Sequence, residues 1–202
     1  TESSASGAQV IDGSLKFDKS KTTHLKRTFG SGNVKKWTWS GWVRRTFFDS
    51  GNNFYRIFGQ SETNHFYFYN DDLYFDAGSS SQQLITNQKF RDIGWFHLVG
   101  VFDTDNGTTG DRMRLYINGE RVTSFSTANY PSSGYSSGTI SSAAVHDIGY
   151  RISPAGGALS ADMSQIYFID GQALDASYFG FTDGLTNTWR PKKYKVELAQ
   201  TQ

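Results

Sequence analysis

The alternation of apolar and polar positions is clearest in two neighbouring runs, Trp95-Phe-His-Leu-Val-Gly-Val-Phe-Asp103 and Arg112-Met-Arg-Leu-Tyr-Ile-Asn-Gly-Glu-Arg-Val122. The first is apolar enough for a buried strand. In the second, Met113, Leu115 and Ile117 alternate with Arg112, Arg114 and Tyr116, so one face is dry and the other wet. Asn118-Gly119 supplies two residues that tolerate positive φ, as a type I′ hairpin turn demands. Buried strand, polar loop and hairpin together predict an antiparallel β-sandwich.

The period of two recurs at short intervals. Ser14-Leu-Lys-Phe17 and His24-Leu-Lys-Arg27 read as short strands. Trp37-Thr-Trp-Ser-Gly-Trp-Val43 sets Trp37, Trp39, Gly41 and Val43 on one face and Trp42 on the other; an inward Trp42 would require a bulge at Gly41. Tyr55-Arg-Ile-Phe58, His65-Phe-Tyr-Phe-Tyr69 and Leu73-Tyr-Phe75 follow, the last two joined by a turn at Asn70-Asp71-Asp72. Residues 82–86, Val145-His-Asp-Ile-Gly149 and Ala161-Asp-Met-Ser-Gln-Ile-Tyr-Phe-Ile169 complete the strands. Residues 124–142, rich in Ser, Thr, Gly and Tyr, read as a long surface excursion. Residues 174–179 are expected to form one helical turn begun by Asp175. Residues 1–9 are expected to be a flexible arm or linker, residues 10–189 the sandwich, and residues 190–202 a basic exit segment. Neither an internal repeat nor a second core is expected.

Composition narrows the class further. A chain of 202 residues fits one large all-β domain. Aromatics make up 16% of it, which favours strands over helices. The absence of cysteine excludes disulfides and thiolate metal sites. With 20 Lys plus Arg against 19 Asp plus Glu, the formal charge of +1 gives no reason to expect nucleic acid or an anionic membrane as partner. No apolar run approaches the roughly 20 residues of a membrane span. No signal peptide is visible, and the missing initiator Met reads as processing, an expression product, or one piece of a longer protein.

At this level the residues resemble a known family. Asp12-Gly-Ser-Leu-Lys-Phe17, the Trp37–Val43 run, the Trp95–Asp103 run with Leu115-Tyr-Ile-Asn-Gly119, and Ile148-Gly149 before the Ala161–Ile169 run resemble the strands of concanavalin A-like jelly rolls of the laminin G and pentraxin type. A narrower resemblance lies in Phe168-Ile-Asp-Gly-Gln-Ala-Leu-Asp175, Tyr178-Phe-Gly180 and Trp189-Arg-Pro-Lys-Lys-Tyr194, which are similar to a recurring module of structural proteins in tailed, especially marine, phages. The resemblance implies a single concanavalin A-like sandwich in a virion part such as a tail fibre, spike or capsid-attached fibre. It also implies a homo-oligomer, a trimer if the part is a fibre.

Candidate chemistry is sparse. Glucanases on this fold need neighbouring carboxylates, whereas Glu2, Glu62, Glu120 and Glu197 are scattered and no Glu-x-Asp-x-x-Glu motif exists, so no enzyme is expected. Gly134-Tyr-Ser-Ser-Gly138 matches a nucleophile elbow by letter only, since it lacks the flanking strand and helix. His24, His65, His97 and His146 show no metal-ligand spacing, and His97 reads as a satisfied structural or outward-facing histidine. Asp71, Asp72 and Asp76 form one acidic group; Asp103, Asp105 and Asp111 form another beside Asn106. Calcium takes such oxygens from a flexible loop, and tight turns use the same residues, so both readings stand, with calcium assigned to Asp103, Asp105 and Asp111. No other cofactor is expected.

Sugars offer apolar ring faces to aromatics and hydroxyls to amides and acids. The candidates in predicted loops are Phe47, Phe48, Asn52, Asn53, Tyr55, Asp71, Asp72, Tyr130 and Tyr135. A Phe47-Phe48 pair on the surface would equally suit a subunit contact. Three functions follow. The first is a non-enzymatic virion module that attaches to a host-surface glycan. The second is an architectural decoration protein contacting other virion proteins. The third is a cellular laminin G-like adhesion domain, which the lack of cysteine disfavours.

Overall fold

Two antiparallel sheets absorb the predicted strands. The computed structural model describes residues 10–48, 53–60, 63–77, 81–136, 140–151 and 155–195. The six-stranded sheet runs, in spatial order, β1 (Leu15–Phe17), β13 (Ala161–Asp170), β3 (Lys36–Arg45), β8 (Phe96–Asp103), β9 (Met113–Ile117) and β10 (Glu120–Arg121). The seven-stranded sheet runs β11 (Phe125–Asn129), β7 (Gln83–Lys89), β6 (Asp72–Asp76), β5 (Thr63–Tyr69), β4 (Phe54–Gln60), β12 (Val145–Ile148) and β2 (Leu25–Thr28). A separate hairpin joins β14 (Gly180–Asp183) to β15 (Thr188–Pro191).

The main core lies between the two sheets and is aromatic. Trp37 and Trp39 of β3 are fully buried there, stacked on Phe102 at 5.5 Å and on Phe66 at 5.2 Å. The facing strand leaves room for Phe66 only because residue 100 is glycine: a Cβ there would sit 2.0 Å from the Phe66 ring. β3 itself is not bulged at Gly41, since it pairs with β8 in continuous register from Lys36 opposite Asp103 to Val43 opposite Phe96; the irregularity there lies in β13, between Ser164 and Tyr167. Trp42 therefore points away from the core, as the alternation predicts. Both hairpin turns take positive φ at their two central residues, 50° and 86° at Asn118-Gly119 and 49° and 66° at Asn70-Asp71.

The structure departs from the expected organisation in two places. Residues 124–142 are not wholly a surface excursion. Their first part is β11, which pairs with β7 as the sheet edge, and Ile140 is fully buried. More consequentially, a second apolar cluster exists. The chain after β13 returns across the outer face of the six-stranded sheet, where Leu174, Ala176 and Phe179 bury Val99 and Val101, and Tyr167, Trp189 and Tyr194 pack around them. Thr38, buried on that face, donates to the Gln172 carbonyl at 2.8 Å and accepts from the Leu174 N–H at 2.9 Å, pinning the returning chain. Asp175 caps a short 3₁₀ turn, Ala176–Tyr178, by accepting from the Ser177 N–H at 2.8 Å, as its position predicts. Arg190 and Pro191 thus complete β15 and Tyr194 joins the cluster, so this stretch forms part of the fold and not only an exit segment.

Candidate functional site

The strand registers send the predicted site residues to opposite ends of the sandwich. The end of β3 and the Asn70-Asp71 turn share one rim; the loop after β8 and the stretch after β11 share the other. On the first rim, Arg45 is only 2% exposed and donates to the Asp71 carboxylate at 2.9 Å and to the Phe90 carbonyl at 2.6 Å. Its guanidinium lies 4.5 Å from the Phe48 ring centre. Arg91 donates to the other Asp71 oxygen at 2.9 Å. Burial pushes the Asp71 carboxyl up, but the hydrogen bonds and charges of Arg91 and Arg45 prevail and hold it below the usual carboxylate range. Asp72 pairs with Lys89 at 2.6 Å.

Lys19 stands over the exposed Phe47 ring at 4.0 Å and 5.3 Å from the Tyr55 ring, which is buried. Asn53 is exposed. Asn52 lies outside the described residues. Tyr130 and Tyr135 belong to the opposite rim and pack against the main core, and the Tyr135 carbonyl accepts from Thr104 Oγ1 at 2.7 Å. The predicted sugar-contacting set is therefore split rather than assembled. Most of its first-rim members already engage Arg45, Arg91, Lys89 or Lys19.

The acids assigned to calcium are also held apart. Asp103 is buried 3.4 Å from Lys36, Asp111 pairs with Arg121 at 2.5 Å, and Asp105 is exposed. Among the described residues no group of three or more His, Cys, Asp or Glu side chains is placed to hold a metal ion. The loop instead uses its side chains for turns, with Asn106 Oδ1 accepting from the Thr108 N–H at 2.9 Å. Asp76, of the other acidic group, accepts from Gln83 at 2.6 Å and from the Tyr67 hydroxyl at 3.0 Å, and burial pushes its pKa up to about 6.

A different set of residues does converge. Trp42 leaves the outer face of β3, Trp95 precedes β8, and Trp189 comes from β15. His97, outward-facing on β8 and buried, sits between two of them, 5.1 Å from Trp42 and 6.0 Å from Trp189, stacked on both. The Trp189 indole N–H donates to His97 Nδ1 at 3.0 Å, and His97 Nε2 donates to Ser40 Oγ at 2.9 Å. Burial pulls the His97 pKa down to about 3, so the ring is neutral and holds one fixed tautomer. Trp95 is 39% exposed, and the Arg44 guanidinium packs 5.4 Å from its ring centre.

Beside these rings opens a groove of about 1120 Å³. Its other walls are Asn118, Glu120 and Arg121 of the β9–β10 hairpin, Asn87 and Gln88 of β7, and Asn187 of the β14–β15 turn. Gly119 is required there twice over. Its φ is +86°, and a Cβ would lie 2.4 Å from the Trp189 ring. A smaller depression of about 370 Å³ uses the same three tryptophans and is bounded by Asp12, Gly13, Ser14, Ser164 and Arg190. The sequence reading missed Trp95, Trp189, Asn87, Gln88 and Asn187. The signal on hand was Trp42, an outward tryptophan whose cross-strand neighbour is His97.

The exposed indole of Trp95 next to exposed amides suits a polyhydroxylated ligand. The ring takes its C–H faces, and the amides offer both donors and acceptors. The fold is that of a lectin-like, concanavalin A-type β-sandwich. The chain belongs to the concanavalin A-like lectin/glucanases superfamily, laminin G type, which it matches over residues 6–160. β13 and the hairpin that carries Trp189 lie beyond that matched span.

Among solved structures, it is similar to the native heptameric SAP-like pentraxin of Limulus polyphemus (19% identity, 83% of this chain and 75% of that one, TM-score 0.51). It is also similar to a Bacteroides ovatus protein provisionally assigned as carbohydrate binding (15% identity, 77% and 42%, TM-score 0.56). A third is the mouse laminin alpha1 chain, domains LG4-5 (16% identity, 95% and 47%, TM-score 0.51). The chain thus spans under half the length of the latter two. A search of curated protein sequences finds no match.

Proposed function

We propose that this chain is a non-catalytic glycan-binding module and that the tryptophan groove is its binding site. The observation that carries the reading is Trp95. Its ring is anchored by Arg44 on one side yet 39% exposed beside the groove, within a wall of two further tryptophans and several amides. The carbohydrate-binding assignment of the Bacteroides ovatus protein on the same fold supports it. The acids support binding over hydrolysis. Glu120 is the one carboxylate among the residues lining the larger depression and Asp12 the one among those lining the smaller, whereas hydrolysis uses a pair of carboxylates at one site.

The setting we propose is host attachment on the surface of a tailed-phage particle, where many copies would turn weak sites into avidity. Its support is the resemblance of residues 168–194 to phage virion modules, and these residues supply Trp189 and most of the second cluster. The test is a glycan array with the purified chain, followed by titration of any hit. Trp95→Ala is expected to weaken binding by about tenfold or more at unchanged melting temperature. Undiminished binding by that variant would remove the groove from consideration.

A further inference from the structure

We propose that the ligand is a neutral, extended glycan that crosses the outer face of the six-stranded sheet over Trp95, and not an acidic chain or a single terminal sugar. The inference rests on the glycan reading of the same groove and specifies its ligand class.

Two observations on the fold give the length. The larger depression lies toward β9 and β10, whereas the smaller lies toward β13 and the segment leading into β1. In the sheet order these flank β3 and β8; Trp42 leaves β3, Trp95 lies just before β8, and Trp189 reaches them from β15. A ligand touching both depressions must therefore run across the strands with the indoles beneath its middle. Strands are spaced about 4.8 Å apart, so such a path exceeds one sugar ring.

The charges give the class. Each cation at the wall already has a carboxylate. Arg44 pairs with Asp162 at 2.5 Å, Arg121 with Asp111 at 2.5 Å and Arg190 with Asp183 at 3.7 Å. Glu120 and Asp12 line the two depressions and form no ion pair among the described residues, since Arg121 and Arg190 of the same depressions are held by Asp111 and Asp183. His97 is buried and neutral, so it adds no positive charge. A uronate, sialyl or sulfate group would have to displace an existing partner and approach Glu120 or Asp12 against like charge. Sugar hydroxyls meet the opposite situation. They donate to those two carboxylates in charge-assisted bonds. The exposed side-chain amides of Gln88 and Asn187, which have no partner among the described residues, can both donate and accept.

The experiment titrates the full chain with neutral polysaccharides (dextran, galactomannan, arabinoxylan) and acidic ones (polygalacturonate, hyaluronate, polysialic acid) at low ionic strength. A ladder of neutral oligosaccharides follows for any polymer that binds. The expected result is binding to a neutral polymer, with affinity rising from disaccharide to hexasaccharide and acidic polymers weaker by about tenfold or more. In addition, Glu120→Lys should narrow the gap between the two classes. Preference for acidic polymers, or a monosaccharide that binds as tightly as the hexasaccharide, overturns this inference and leaves the glycan-binding reading standing. Failure of every neutral and acidic probe overturns both.

Discussion

The indole N–H of Trp189 donates to Nδ1 of His97 at 3.0 Å, tying β15 to a central strand of the six-stranded sheet. The bond does two things. It fixes which His97 nitrogen carries the proton, and it holds one wall of the groove in place. Trp189→Phe keeps an aromatic ring but leaves His97 Nδ1 without its donor in a buried site. The expected loss of stability is about 1–3 kcal/mol, read from urea unfolding. An unchanged midpoint would show that the hairpin is held by its apolar contacts alone.

The buried titratable groups make opposing predictions for acid. His65 is fully buried, its Nδ1 bonded to the Asp76 carbonyl at 2.9 Å, and burial pulls its pKa down to about 3, as it does for His97. Both are neutral when folded, so the stability they leave intact above the ordinary histidine pKa of 6.5 is lost as pH falls from there toward 3. Each contributes a slope of about 1.4 kcal/mol per pH unit in that window.

Asp76 acts the other way. Its pKa rises from 3.8 unfolded to about 6 folded, so its contribution favours the fold at low pH and is lost as pH rises through that interval. The two histidines outweigh it, and stability should fall on acidification. In Asp76→Asn the opposing term is gone, so the decline between pH 6 and 4 should be steeper than in the parent chain. Parallel stability profiles for the two proteins would refute the assignment.

What could be read from the chain alone followed from local periodicity. Alternation at Met113, Leu115 and Ile117, the Asn118-Gly119 turn and the outward Trp42 needed only neighbours in sequence. The returning segment did not show itself, because Leu174, Ala176, Phe179, Trp189 and Tyr194 have no regular spacing and sit among polar and basic residues. What makes them a cluster is contact with residues far away along the chain, such as Thr38 and His97. The candidate site was obscured for the same reason. Phe47 and Trp95 are equally exposed and each has a cation over its ring; what separates them is that the fold sets Trp95 beside a groove with two further tryptophans and several amides. Sequence chemistry pointed to rings, amides and acids, but only the fold decides which of them meet.

Asp71 is expected to act as a counterion. Removing it in Asp71→Ala takes the carboxylate from Arg45, which is 2% exposed, and breaking a buried pair from one side costs about 3–5 kcal/mol. Its second partner, Arg91, is largely exposed and adds little. A lower melting temperature with undiminished glycan affinity in the folded protein is the expected outcome. Lost affinity at unchanged melting temperature would instead make Asp71 a ligand.

Calcium is expected to leave the melting temperature where it is. Lys36 and Arg121 already neutralise Asp103 and Asp111, and Asp105 points into solvent apart from them. Melting curves in calcium and in excess chelator should superimpose, for the parent chain and for the double variant Asp103→Ala with Asp105→Ala alike. A calcium-dependent rise that disappears in the double variant would show that these acids do gather around an ion.

Gly119 couples turn and groove, so its replacement should register in both. At φ +86° an alanine is strained by roughly 1–2 kcal/mol, and its Cβ would overlap the Trp189 ring at 2.4 Å. The ring or the turn must move, and either shift changes the wall beside Trp95. Gly107→Ala is the matched control, because nothing lies within 4 Å of a Cβ at that position. Gly119→Ala is expected to lower both the unfolding free energy and glycan affinity, while Gly107→Ala stays within about 0.5 kcal/mol of the parent. If Gly119→Ala destabilises the chain yet binds glycan as before, the hairpin is not part of the binding wall.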